Sequence, residues 1–297
     1  MSRGMRSIYL WSNREWTLFE YKDLYQLDNE FAKRSIRVGG GVSIGNSAFI
    51  GDYVTLGQKV SVGSGATIWH LATISNGAKV GIGAQIENLA FIGYNAVIGD
   101  NTIINGFVKQ GASVGNNAIV KGAIIWDNSS IGDNTHIGSR ASVGYRSLVG
   151  NNAKIGKYTS IKEFASIGLG TEVGINSIVG YSAKVGDKTT IGNYVSIKDR
   201  ARIGNSVNIG NRVILAERSQ VEDGVKLEKA FYINGSRDSV SYIGNSKLSI
   251  GHRCFPISQW KEVLSEIGRI ESYSEVEMLE YQTYIEMALI FAKNYDT

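Results

Sequence analysis

The sequence predicts an all-β protein wound from short, evenly spaced strands. An aliphatic residue returns every six positions over two thirds of the chain, so that "SIGDNTHIGSRASVGYRSLVGNNAKIGKYTSI", from Ser130 to Ile161, reads as one phrase repeated with small edits. Gly is abundant and Pro nearly absent, 36 against 1 in 297 residues. That pairing is expected where Gly sits at fixed corners of a repeat rather than in irregular loops. The two ends lose the period and carry hairpin and helix signals instead.

Taken in order, "SIYLWSNREWTLFEY" predicts a hairpin with its turn near Ser12-Asn13. In "DLYQLDNEFAKR", Leu24, Leu27 and Phe31 share one helical face, and Asp23 stands where a cap is needed. Residues 1–35 are therefore read as a lid over the first coil, hiding its edge. From Val38, steps of six give Ile44, Ile50, Leu56 and so on to Ile104; a short second run holds Val108, Val114 and Val120; a third runs from Ile131 to Ile233, aliphatic at all eighteen positions. Neither an amphipathic helix nor an alternating strand has a period of six. A short strand, a Gly-assisted corner and another short strand does, with the aliphatic inward and a small residue four places on, as at Thr135, Ala141, Ser147, Ala153, Thr159 and Ala165. After Ile233 come a hairpin in "SVSYIGNSKLSIG" and helices near 258–267 and 275–293. The second helix opens with a capping box, Ser274 to Glu277, and is expected to bury Val276, Leu279, Ile285, Ala288 and Leu289 or their neighbours. The predicted division is 1–35, 36–235 and 236–297.

Residues 36–235 resemble the hexapeptide-repeat family of left-handed parallel β-helices. The resemblance implies that three repeats close a triangular coil, so that the 33 rungs make about 11 coils spaced roughly 4.8 Å apart. It also implies a parallel homotrimer with clefts between one subunit's corner and the next subunit's face. The end of the chain, with Gly235 to Arg237, Ile250 to His252, Trp260, Glu280 and Tyr281, looks like the C-terminal module of hexapeptide-repeat proteins from phage and prophage genomes. That likeness suggests a viral source and supplies no catalytic residue.

Composition narrows the setting. A single Cys254 excludes an internal disulfide, the N-terminus lacks the apolar run of a signal peptide, and no stretch approaches the roughly 20 apolar residues that span a bilayer. A cytoplasmic protein with no membrane partner is expected, in the host cytoplasm if phage-encoded. The net charge of +4 is uneven: from Pro256 onward 3 Lys/Arg face 8 Asp/Glu, while residues 1–255 carry 28 against 19, a net +9. That lean favours small anionic ligands. Without a cluster of basic residues, a nucleic-acid polymer is not expected.

Departures from the repeat mark the candidate sites. In residues 105–130 the step from Ile104 to Val108 is four and that from Val120 to Ile131 eleven; this is either a bulge or a notch presenting Lys109, Lys121, Trp126 and Asp127. Stacked in eighteens, one corner carries Tyr145 and Arg146, Tyr181, and Asp199 and Arg200; a second carries Arg140, Tyr158, Tyr194 and Arg212; a third is bland, with Asp133, Asn151, Leu169, Asp187, Asn205 and Asp223. Arg forks anions and Tyr stacks on rings, so Arg140, Tyr145, Arg146, Tyr158, Tyr181 and Arg200, with Trp126, are the expected ligand-binding residues; the alternative is that they shield corners or meet another subunit. One outward face, Ser142, Ser160, Ile178, Ser196, Ile214 and Tyr232, is uncharged and expected to be covered.

His70 lies in "ATIWHLATISNGAKVGIGAQI", which resembles a segment of acyltransferases acting on amino groups of nucleotide-linked sugars. The resemblance implies His70 as general base and acetyl-CoA as cofactor, but it stops at Asn105, and the repeat has neither a long extruded loop nor a Pro. Binding without turnover is therefore the first expectation, with no cofactor, no metal site, and an anionic ligand such as a cyclic nucleotide signal held in an inter-subunit cleft. Acyl transfer to a sugar amine or hydroxyl is the second, and a structural virion or assembly role the third.

Overall fold

The computed structural model of the chain describes residues 5–12 and 14–295, so Asn13 of the expected hairpin turn lies outside the described residues. The chain divides into two compact units between Tyr158 and Thr159. Both are wound as the expected parallel β-helix, which has about 11 turns.

In the first unit, strands Arg6–Ser12 and Glu15–Tyr21 form the hairpin, with Trp11 opposite Trp16. The first strand also pairs in parallel with Ala48–Ile50, which seats Ile8 and Leu10 fully in the core. A 3₁₀ turn, Leu24–Leu27, and a helix, Asp28–Lys33, follow; Asp23 and Gln26 cap reciprocally, and Leu27 and Phe31 are buried. Arg34 ties the helix to the hairpin, donating from Nε to the Trp11 carbonyl and from Nη1 to Glu30. The lid is thus built from apolar contacts and one well-placed cation.

A regular coil contributes three two-residue strands, such as Ser43–Ile44, and each pairs in register with the one a coil further on, as Ile44 does with Val62 and Leu56 with Ile74. The inward aliphatics are almost wholly excluded from water, and so are the small residues four places on, Thr135, Ala141, Ser147 and Ala153 in this unit and Thr159 and Ala165 in the second. Gly, however, does not supply the turn conformation in most coils. The left-handed backbone falls two residues after that Gly, at Asn134, Arg140, Arg146, Asn152 and Tyr158, with φ between 53° and 59°. Where Gly follows the rung it gives the next coil room: a Cβ on Gly45 would lie 2.3 Å from the Ser64 nitrogen and on Gly138 2.8 Å from the Lys157 nitrogen, while Ser75, Lys109 and Lys162 fill the same position in other coils.

The bland corner turns out to be a hydrogen-bond ladder. The backbone N–H of Ile82, Asp100, Asn116 and Asp133 donates to Oδ1 of Asp100, Asn116, Asp133 and Asn151, at 2.7–2.9 Å. In the second unit Leu169, Asp187 and Asn205 donate in the same way to Asp187, Asn205 and Asp223. These short side chains satisfy corner N–H groups that the strands cannot reach.

The repeat of the second unit ends at Lys226–Leu227. Ile233, counted as a rung from its spacing, lies instead in the antiparallel strand Tyr232–Asn234, half-buried, and Tyr232 leaves the outward face with it. The expected hairpin is a four-stranded sheet, continued by Ser239–Tyr242, Lys247–Ile250 and Arg253–Pro256. Helix Ile257–Glu271 buries Trp260, whose indole donates to the Leu248 carbonyl. Helix Glu275–Tyr295 opens with the predicted box between Ser274 and Glu277 but buries Tyr281, Ile285, Ala288 and Ala292, leaving Val276 and Leu279 exposed. The buried face is set by Tyr281, whose hydroxyl accepts from the Asp238 backbone N–H and donates to the Asp238 carbonyl, while Glu280 accepts from the N–H and hydroxyl of Ser236. Burial, with the Asp238 carboxylate accepting its hydrogen bond, pushes the neighbouring Tyr273 hydroxyl well above its ordinary range. The motif at Gly235 to Arg237 is therefore a latch to the last helix. Among the described residues no helix is long and apolar enough to cross a membrane.

Ile167, 2% exposed, sits in the middle of its stack. Ile167→Asp places a carboxylate among aliphatics at a cost of several kcal/mol, and should remove the cooperative melting transition or the soluble protein altogether. Wild-type melting of that variant would contradict this stacking.

Candidate functional site

Two shortened corners shape the first unit. A regular corner has five residues between rungs, as from Ile68 to Ile74, whereas three separate Ile104 from Val108 and four separate Val120 from Ile125. The chain responds by running straight across the edge as two long strands, Ile103–Val108 and Ile119–Ile125. They pair in parallel, Asn105 with Lys121, then Gly106 with Ala123 across a bulge. Gly is required at the first break, where Gly106 has φ 151° and a Cβ would lie 2.4 Å from the Ala123 carbonyl oxygen; at the second, Gly122 has the left-handed φ of 54° that side chains adopt at other tips, with room for a Cβ. One strand thereby meets two faces of the preceding coil, Ile104 pairing with Ile86 and Val108 with Ile92. The edge is flat for two coils and regains a full corner at Gly138–Ala141.

Beside this flattened edge lies an apolar floor. Phe91, Phe107, Ile124 and Ser142 occupy successive outward positions, linked by the pairings of their strands. Phe107 is 45% exposed and Trp126 42%. Trp126 donates from Nε1 to the Ser142 hydroxyl at 2.9 Å. Lys109 sits on the same rim, its Nζ 5.2 Å from the Phe91 ring centroid and 5.3 Å from that of Phe107. The next corner of that rim holds Tyr145 and Arg146, with the guanidinium 5.1 Å from the Tyr145 ring. The opposite rim carries Lys121 and then Arg140, whose guanidinium lies 5.4 Å from the Tyr158 ring and whose Nη1 is 3.3 Å from the Tyr158 hydroxyl.

Five of the expected binding residues, Trp126, Arg140, Tyr145, Arg146 and Tyr158, thus border one uncharged face of the first unit. Tyr181 and Arg200 belong to the second unit, where Arg200 lies 5.9 Å from the Tyr181 ring and 3.4 Å from the Glu217 carboxylate. Asp127, expected in the notch, is occupied as a ladder acceptor for the Gln110 N–H at 2.9 Å. Phe91 and Phe107 escaped notice in the sequence. Their signal is a bulky aromatic at the outward position just before a rung, on a face that has Thr55 and Thr73 in the coils before and Ile124 and Ser142 in those after.

His70 occupies the ladder position of its corner, and its Nδ1 accepts the Asp52 backbone N–H at 2.9 Å. A neutral imidazole with Nδ1 accepting carries its proton on Nε2, so neither nitrogen is free to take a proton from an acceptor. The ring also packs edge-on against Trp11, centroids 5.3 Å apart, within a cluster that includes Trp16 and Trp69. His136 stands half-buried at an outward position between Ile119 and Lys154, and His252 is exposed in the C-terminal sheet. Among the described residues no group of three or more His, Cys, Asp or Glu converges to hold a metal ion.

No family model and no curated protein matches the chain. Among solved structures it is similar to the UDP-N-acetylglucosamine O-acyltransferase of Moraxella catarrhalis, 19% identical over 61% of this chain and 68% of that one, TM-score 0.31. The corresponding enzyme of Francisella novicida is 17% identical over 88% and 83%, TM-score 0.23. PerB of Caulobacter crescentus, in complex with CoA and GDP-perosamine, is 19% identical over 52% and 55%, TM-score 0.22. These likenesses concern the repeat architecture and bring no substrate to this chain.

If His70 serves the ladder, His70→Asn should retain near-native melting because an acceptor remains, whereas His70→Ala should lose about 1–3 kcal/mol by stranding the Asp52 N–H. Equal melting of wild type and His70→Ala would show that the bond contributes nothing.

Proposed function

We propose that the chain binds a small anionic ligand carrying a planar ring on the Phe107–Ile124–Ser142 face and holds it without turnover. The observation that supports this is the placement of Lys109, Lys121, Arg140 and Arg146 around an uncharged floor with aromatic side chains, in a unit whose corner histidine is committed to the backbone. The magnitudes favour exchange of partners. An exposed cation–π contact contributes about 0.5–1 kcal/mol, whereas a hydrogen bond from Arg to a phosphate-like oxygen contributes about 1.5–3 kcal/mol. Arg140 and Arg146 therefore leave Tyr158 and Tyr145 when an anion arrives, and the freed rings and Phe107 stack on its base. In the homotrimer that the resemblance to hexapeptide-repeat proteins implies, a neighbouring subunit would cover this face and turn the open floor into a cleft. A nucleotide-type signal matches that chemistry, and its capture would serve sequestration.

Acetyl-CoA shares the chemistry, with an adenine ring and phosphates, so acyl transfer is the second reading. It needs a base that His70 is not arranged to provide. Calorimetry and thermal shift with cyclic and linear nucleotides and with acetyl-CoA separate the two. Arg140→Ala and Arg146→Ala should each weaken nucleotide binding roughly 10- to 150-fold without lowering the melting temperature of the free protein. Nucleotide binding unchanged in both variants would move the site off this face, and absence of binding by every probe would end the proposal. Acyl transfer that disappears in folded His70→Ala would restore the enzyme reading.

A further inference from the structure

The last helix, Glu275–Tyr295, is apolar on two opposite sides. Tyr281, Ile285, Ala288 and Ala292 form the stripe buried in its own unit. At 3.6 residues per turn, Val276, Leu279, Thr283, Met287 and Ile290 form a second stripe on the far side of the helix. Its four large members are 77%, 65%, 47% and 64% exposed. Thr283 joins the stripe through its methyl group, because its hydroxyl donates to the Leu279 carbonyl at 2.9 Å. A helix that needed only its own chain would carry polar residues here.

The stripe is symmetric about its smallest member. Leu279 and Met287 lie four residues either side of Thr283, and Val276 and Ile290 lie seven either side. When two copies of such a helix cross antiparallel with Thr283 at the crossing point, Val276 meets Ile290, Leu279 meets Met287, and the small residue falls where the axes come closest. Charge agrees with this direction. Glu275, Glu286 and Lys293 share one flank of the stripe, all exposed and without an ion-pair partner among the described residues. Antiparallel pairing sets this flank against itself, bringing Glu275 of each copy near Lys293 of the other. Parallel pairing would set it against the flank bearing Glu277 and Glu280, acid against acid.

We propose that this stripe is a two-fold self-association surface, through which the C-terminal helix pairs antiparallel with the same helix of a second copy of this chain. The pairing is isologous and independent of the ligand reading, and it doubles whatever assembly the repeat forms.

Light scattering on the full chain should give twice the mass of the Leu279→Ser, Ile290→Ser double variant, with unchanged circular dichroism and melting. In a Cys254→Ser background, mild oxidation should cross-link Thr283→Cys, which meets itself at the two-fold axis, and should leave Val276→Cys uncross-linked. Equal masses for wild type and the folded double variant would overturn the pairing, as would a Val276→Cys that cross-links as readily as Thr283→Cys. A wild-type mass equal to one trimer would overturn it while leaving a trimer intact.

Discussion

The spacing between coils governs this molecule. Backbone strands lie roughly 4.8 Å apart along the winding, and every repeat position answers to that distance. The aliphatic residue fills the interior at one level, the small residue beside it keeps the corner from overfilling, and the following Gly lets the next backbone come within a distance that a Cβ would prevent. Asn, Asp and, once, His70 then close the corners by accepting N–H groups from the coil before. Chemistry is consequently left to outward positions, to corner tips and to the places after a rung where Gly is replaced, as at Lys109 and Trp126.

Most of this architecture could be read from the sequence, since a residue repeated every six places under a fixed steric rule needs no tertiary knowledge to detect. Rungs from Ile131 to Leu227 are buried as their spacing indicates. Ile233 kept the phase and lost the role, because the period says nothing about when a chain turns back antiparallel. The last helix failed differently. It has two apolar faces, so counting could not tell which one its own chain would cover, and the deciding contact, the Tyr281 hydroxyl on Asp238, spans 43 residues.

The candidate site was half visible. The irregular steps around Ile104 and Val120 located it, and Trp126, Arg140, Tyr145, Arg146 and Tyr158 proved to border one face. That Lys109 lies over Phe91 and Phe107 depends on two strands running straight through a missing corner, which no local pattern announces. His70 shows the converse: a residue suited to catalysis by type is occupied by its backbone neighbour, as Asp127 is.

The corner tips carry one more implication. Arg140, Arg146 and Tyr158 hold a left-handed backbone, a conformation that costs a side chain about 1–2 kcal/mol and that Gly and Asn adopt with less strain. Asn134 and Asn152 show that the winding accepts Asn at equivalent tips. Arg and Tyr therefore stand where the scaffold by itself favours smaller residues, as Tyr53, Lys59, Leu71 and Lys188 do at other tips. Asn in place of such a residue should therefore ease backbone strain and leave the rungs untouched, so that each large tip is a place where the winding could gain stability by giving up whatever its side chain contacts.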